Sequence, residues 1–233
     1  MAETLVRVEG VEKTFQSGQV EVLALRGLDL VVEAGEFMAI VGPSGSGKTT
    51  LLNLVGALDV PTAGRVEVLG QDLAELNRHQ RADLRLRALG FVFQAYNLVP
   101  VLTARENVEF VLELQGMGGA QRSARALKTL EELGLGDLAE RRPGAMSGGQ
   151  QQRVAVARAV ASRPRLVLAD EPTANLDSDN AQALLGMMRR LRDEEGVTFV
   201  FSTHDPLVVS YASRVVSLRD GQIVEDERKE MDA

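Results

Sequence analysis

The sequence predicts an α/β fold built on a mostly parallel sheet with a helical insertion, and three observations point there. Continuous apolar runs, Phe37-Met38-Ala39-Ile40-Val41 above all, read as strands buried on both faces, as in a parallel sheet. Helical stretches alternate with these runs, which is the pattern of βα units. Between the first such run and the helical Thr50-Leu51-Leu52-Asn53-Leu54 lies Gly42-Pro43-Ser44-Gly45-Ser46-Gly47-Lys48-Thr49, matching G-x-x-x-x-G-K-[ST] in the strand–loop–helix setting that a phosphate loop requires.

Taken in order, Val20 to Val32 reads as strand, followed by Phe37 to Val41 and, later, Leu166 to Ala169 and Thr198 to Phe201. Helices are expected over Ser147 to Ala161 and Asp177 to about Arg192. The stretch from Asp72 to Leu138 reads as mostly helical and charged, including Leu73-Ala74-Glu75-Leu76 and Arg81 to Leu86. Thr103-Ala104-Arg105-Glu106 fits a capping box that opens a helix through Leu112. Gly116 to Gly119 breaks it, and Gln121 to Leu133 forms another. Gln94 to about Gly144 is therefore expected as a helical insertion, and the charged tail after Ile223 is expected to fray.

A length of 233 residues favours one domain with a subdomain. Hydrophobic residues at 45 % and charged residues at 25 % match a globular chain. The absence of cysteine excludes disulfides and thiolate zinc sites, and two histidines, His79 and His204, exclude a histidine-rich metal centre. A net charge of −7 disfavours bulk attraction to nucleic acid, so no nucleic-acid partner is expected. No apolar run approaches the ~20 residues that span a bilayer, and no secretory pattern opens the sequence; a soluble, cytoplasmic protein is expected.

The chemistry concentrates in three motifs. In the phosphate loop, the glycines let successive N–H groups turn inward, Lys48 is placed to contact the β- and γ-phosphates and Thr49 to bind Mg²⁺, with Ser44 and Thr50 assisting. Leu166-Val167-Leu168-Ala169-Asp170-Glu171 puts two carboxylates at the C-terminal end of a buried strand, where open α/β sheets bind ligands. Asp170 suits the Mg²⁺ shell and Glu171 a general base toward water. Ser147-Gly148-Gly149-Gln150 reads two ways. Ser147 and Gln150 make a capping box; the paired glycines, each costing about 1 kcal/mol in a helix, suit close approach of a phosphate to the backbone.

Met146-Ser147-Gly148-Gly149-Gln150 resembles the signature motif of ATP-binding cassette (ABC) ATPases, and other elements follow in family order from Val6 to about Val224. Phe15 resembles the aromatic that stacks on adenine, Gln94 in Phe91-Val92-Phe93-Gln94 the Q-loop glutamine, Asp177 in Ala174-Asn175-Leu176-Asp177 the D-loop aspartate, and His204 in Ser202-Thr203-His204-Asp205 the switch histidine. Met146 departs from the usual leucine, Phe15 from a common tyrosine and Ala174 from a frequent glycine or serine.

The resemblance implies a P-loop NTPase core with an N-terminal antiparallel β portion, assigned to about 1–93 and 145–233, and a helical subdomain at about 94–144. It implies ATP and Mg²⁺ as cofactors, Thr49, Gln94 and Asp170 around the metal, and Glu171, His204, Lys48 and Gln94 as the hydrolytic set. A second copy or homologous cassette would complete a two-ATP sandwich through Ser147 and Gly149. A membrane permease subunit would contact the region around Tyr96, Leu98 and Val99, holding the chain at the cytoplasmic face of the membrane. Asp170-Glu171-Pro172-Thr173-Ala174-Asn175-Leu176-Asp177, together with Asn97-Leu98-Val99-Pro100, looks most like the subgroup serving lipoprotein release, macrolide efflux and antimicrobial-peptide export. The alternative within the family is a soluble ATPase acting on DNA or ribosomes.

Overall fold

The computed structural model describes residues 3–18 and 20–229; the expected ends of the core, 1–2 and 230–233, lie outside the described residues. In chain order the elements are β1 (Thr4–Ser17), β2 (Val20–Glu33), β3 (Phe37–Val41), α1 (Lys48–Val55), β4 (Ala63–Val68), β5 (Gln71–Asp72), α2 (Arg78–Ala88) and β6 (Leu89–Phe93). There follow α3 (Ala104–Leu114), α4 (Gly119–Glu132), α5 (Gly148–Val160), β7 (Leu166–Asp170), α6 (Ser178–Glu195), β8 (Thr198–Thr203), α7 (Pro206–Tyr211), β9 (Arg214–Arg219) and β10 (Gln222–Arg228). Residues 94–144 contain helices and two 3₁₀ turns, Gly136–Leu138 and Pro143–Ala145, without a strand.

Two sheets form. An antiparallel sheet in the order β2-β1-β4-β5 lies beside a six-stranded sheet in the order β10-β9-β3-β8-β7-β6, in which β9, β3, β8, β7 and β6 run parallel and only β10 is antiparallel. The parallel strands alternate their burial. Met38, Ile40, Leu166, Leu168 and Val200 face a core shared with α1 and the antiparallel sheet. Phe37, Val167, Ala169, Phe199 and Phe201 face a second core shared with α3, α5 and α6. The Phe37, Phe199 and Phe201 rings meet at centroid distances of 4.6 to 6.0 Å and are fully buried; truncating any one to Ala should cost about 3–5 kcal/mol.

Helix starts are specified by their caps. Capping boxes at Asn77/Gln80, Thr103/Glu106 and Ser147/Gln150 open α2, α3 and α5, and the Asp177 and Asp205 carboxylates cap α6 and α7. Two expectations are corrected. Leu73-Ala74-Glu75-Leu76 is a turn: the Asp72 carboxylate accepts the Ala74 N–H at 3.0 Å, and α2 begins only after the Asn77 cap. The tail beyond Ile223 does not fray there, because β10 pairs with β9 as far as Arg228↔Arg214, and Arg214 grips Asp226 at 2.7 and 2.8 Å. The strand β6 also interrupts the region read as mostly helical. Among the described residues no helix is long and apolar enough to cross a membrane.

Candidate nucleotide-binding site

Four parallel strands end at one edge, and each delivers a different group. After β3 the chain enters the phosphate loop, and Lys48 opens α1. The loop is tightly seated: a Cβ at Gly42 would lie 2.1 Å from the Leu218 carbonyl oxygen, and Gly47 has φ 104° with its Cβ direction 2.7 Å from the Ala24 carbonyl. The Gly221 N–H donates to the Ser46 carbonyl at 3.0 Å, so the β9–β10 turn braces the loop from below. Lys48 is largely buried, and its ammonium donates to the Gly42 and Pro43 carbonyls at 2.8 and 3.0 Å. Ser46 Oγ is buried without a hydrogen-bond partner, while Ser44, Gly45 and Thr49 are exposed at the mouth and Thr50 is half-buried.

The end of β7 meets this loop. The Thr49 hydroxyl donates to Asp170 Oδ1 at 3.4 Å. Glu171, next in the chain, sits at φ 45° with its N–H bound to the Ser202 carbonyl at 2.8 Å. This left-handed backbone turns its carboxylate away from the strand. There His204 Nδ1 lies 2.6 Å from Glu171 Oε1, and the Thr203 hydroxyl donates to Oε2 at 3.2 Å. Thr203 is held in turn, because its oxygen accepts the Asp205 N–H at 3.0 Å, and Asp205 Oδ2 accepts the Thr173 hydroxyl at 2.6 Å. Thr203 and Thr173 orient the acid without having been singled out from the sequence.

Hard oxygen donors converging from Thr49 and Asp170 fit a magnesium ion that keeps most of its other ligands from water and phosphate. Among the described residues no cluster of three or more His, Cys, Asp or Glu side chains stands ready to hold a metal alone.

Two further contributions come from the end of β6 and from the start of α5. Gln94 follows β6, is exposed, and its carbonyl accepts the Asn175 side-chain amide at 2.9 Å, joining it to the turn after Glu171. At the start of α5, Ser147 Oγ accepts the Gln150 N–H at 3.3 Å and Gln150 Oε1 accepts the Ser147 N–H at 2.9 Å. The capping-box reading of these two residues is thus realised. The glycines carry a second requirement: a Cβ on Gly148 would lie 2.8 Å from the Tyr96 hydroxyl, and one on Gly149 2.7 Å from Asn180 Oδ1. Asn180 is itself fixed by Asp177, whose carboxylate accepts its backbone N–H at 2.9 Å and its side-chain amide at 2.8 and 3.0 Å. Those bonds lower the Asp177 pKa below the ordinary carboxylate value. Phe15 stands apart on the β1–β2 hairpin, opposite Val22, 42 % exposed and with the Lys13 ammonium 5.1 Å above its ring.

Residues 25–174 match the family model described as ABC transporter. The chain belongs to the ABC transporter family. Among curated relatives, the lipoprotein-releasing system ATP-binding protein LolD of Anaeromyxobacter dehalogenans is 47 % identical over 97 % of this chain and 95 % of its own. The macrolide export ATP-binding/permease protein MacB of Syntrophobacter fumaroxidans is 47 % identical over 94 % of this chain but only 31 % of its own. The chain thus spans about a third of the length of the MacB relatives it matches. Among solved structures, a dimeric post-hydrolysis state of the ATP-binding cassette MJ0796 bound to ADP and Pi superposes with a TM-score of 0.89 at 41 % identity, covering 96 % of this chain and 98 % of that one.

On this ABC cassette the segment after Gln94 is half-buried at Tyr96, Leu98 and Val99 and packs partly inward. Leu98 packs on the second core, and Val99 is tied to buried Asn107, which accepts the Val99 N–H at 2.8 Å and donates to the Val99, Leu102 and Thr103 carbonyls. The side chains that do reach outward nearby are Val101 and, on α3, Phe110 and Leu114, with Phe110 46 % exposed. Phe110, Phe91, Phe93, Leu58 and Leu86 line a largely apolar groove of about 430 Å³ between α2, β6 and α3. Sequence reasoning missed Phe110 and Leu114, though their spacing of four on one helix face was a usable signal.

Proposed function

We propose that this cassette binds ATP with Mg²⁺, hydrolyses it to ADP and phosphate between two copies of itself or a homologous cassette, and thereby powers a separate membrane permease in export, lipoprotein release or mechanotransmission. The observation that carries the reading is the meeting of Thr49 with Asp170 at 3.4 Å and of His204 with Glu171 at 2.6 Å on one strand edge. In this assignment Phe15 stacks on adenine. The loop from Gly42 and Pro43 to Thr50 cradles the phosphates with its backbone N–H groups, Pro43 having none to offer, and Lys48 exchanges its loop carbonyls for the β- and γ-phosphate oxygens. Thr49, Asp170 and Gln94 hold Mg²⁺, which when bound offsets the charge on the phosphates.

Glu171 accepts a proton from water as the water oxygen bonds to the γ-phosphorus and the bond to the ADP oxygen breaks; His204 steers the carboxylate and meets the γ-phosphate. Ser147, Gly148, Gly149 and Gln150, with Asp177, serve the nucleotide of the opposing copy. The 47 % identity to a LolD protein, an ATP-binding component of a lipoprotein-releasing system, supports a cassette that works with a permease at the cytoplasmic face of the membrane. The core assigned to 1–93 and 145–233 does the chemistry, and the helical subdomain at 94–144 faces the permease.

The test is Glu171→Gln. Its phosphate release should fall on the order of 10²-fold or more, and sedimentation velocity with ATP should show a dimer that wild type does not accumulate. A chain that stays monomeric with ATP, alone and beside its membrane partner, overturns the sandwich; unaltered turnover overturns the role of Glu171.

A further inference from the structure

Arg158 lies in the last turn of α5, and its guanidinium reaches back to the segment after Gln94. It donates to the Tyr96 carbonyl at 2.9 Å and to the Asn97 carbonyl. Both acceptor residues sit at positive φ, 57° and 50°, a region that side chains other than glycine enter at a cost. Burial lowers the Arg158 pKa from its ordinary value, and among the described residues it has no carboxylate partner. A half-buried cation satisfied by two carbonyls in strained backbone is a demanding arrangement, and the planar fork of arginine suits it better than a lysine's single ammonium.

The same short segment is gripped twice more. The Tyr96 hydroxyl packs against Gly148 at the opposite end of α5, and Asn175 holds the Gln94 carbonyl from the turn after Glu171. Arg158 and Asn97 also line the apolar groove. Residues 94–97 therefore touch both ends of α5, Arg158 at one and Gly148 at the other.

We propose, resting on the two-copy reading above, that Arg158 is a positioning residue that locks residues 94–97 to α5, so that the segment sets the placement of the Ser147–Gln150 helix start presented to the other copy's nucleotide. Its effect is then exerted across the dimer.

Mixed dimers of the full chain test this through ATPase activity. Arg158→Met should lower kcat on the order of 10- to 100-fold, the scale of small misplacements of catalytic groups. ATP binding to the single chain, by equilibrium dialysis, should stay within about twofold. Arg158→Lys should fall between Met and wild type. Mixing Arg158→Met with Lys48→Ala should recover activity above either variant alone, because one site then joins an intact loop to an intact helix start. The control mixes Ser147→Arg with Lys48→Ala. If the control recovers and the Arg158 mixture does not, Arg158 acts within its own chain and the proposal is wrong while the two-copy reading stands. If neither recovers, the two-copy reading fails and takes the proposal with it. Should Arg158→Met lack a cooperative melt, Arg158→Lys carries the same mixing test.

Discussion

A methyl group added at Gly148 would sit 2.8 Å from the Tyr96 hydroxyl and 3.8 Å from the carbon that bears it, which makes a two-residue test at the smallest scale. Gly148→Ala should destabilise the chain by about 1–3 kcal/mol through overpacking and depress ATPase activity. Adding Tyr96→Phe removes the clashing oxygen and should restore most of the stability, read by thermal melts; a double variant no more stable than Gly148→Ala alone would show that the glycine is needed for something other than room beside Tyr96. Lys48, Thr49, Asp170 and Glu171 were legible in the sequence because their chemistry is local, a strand end or a loop with fixed spacing. The packing of Tyr96 on Gly148 and the roles of Arg158 and Thr203 were not. Arg158 acts on a carbonyl 62 positions away, and no spacing rule encodes a contact made only when α5 packs on the end of β6.

Among the elements, β10 is held by charge where β3, β7 and β8 are held by burial, and this is why β3, β7 and β8 could be read and β10 could not. Its exposed Gln222-Ile223-Val224-Glu225-Asp226-Glu227-Arg228 offers no apolar period. Instead Arg214 donates to Asp226 twice, to Glu36 and to the Val31 carbonyl, and Arg228 reaches Glu33. The Arg214 guanidinium lowers the Asp226 pKa below its ordinary value. A carboxylate depressed in the folded state adds stability above its unfolded pKa and loses it as pH falls through the folded pKa. Asp226→Asn should therefore cost about 1 kcal/mol near neutrality, screening at this half-exposed site included, with the gap to wild type closing below about pH 4. Urea melts at pH 7 and pH 3.5 measure it; a gap unchanged by pH would remove the ion pair from the explanation. The misread turn at Leu73–Leu76 has a similar origin, since the Asp72 carboxylate diverts backbone N–H groups that a helix would need.

For the molecule as a whole, the nucleotide edge and the apolar groove are joined by residues 94–97, with Asn175 holding the Gln94 carbonyl and Asn97 lining the groove. Phe110→Glu places a charge on its rim at a half-exposed position. Stability should change by no more than about 0.5 kcal/mol, as for an ordinary surface substitution, and ATP binding should be retained, while co-purification with the membrane subunit should be lost. Intact co-purification would move the docking face elsewhere. The architecture itself was readable from alternating runs and the phosphate loop, whereas the groove is completed on α2, β6 and α3 by Leu58 and by Arg158 and Ala159 of α5, residues far away in the sequence, and left no single-segment trace.

The brace between Gly221 and Ser46 has a consequence for how the protein is made. The loop that cradles phosphate is translated early, yet the turn that supports it emerges nearly 180 residues later. The loop therefore gains this support only after almost the entire polypeptide has emerged, so its braced form is a late product of folding.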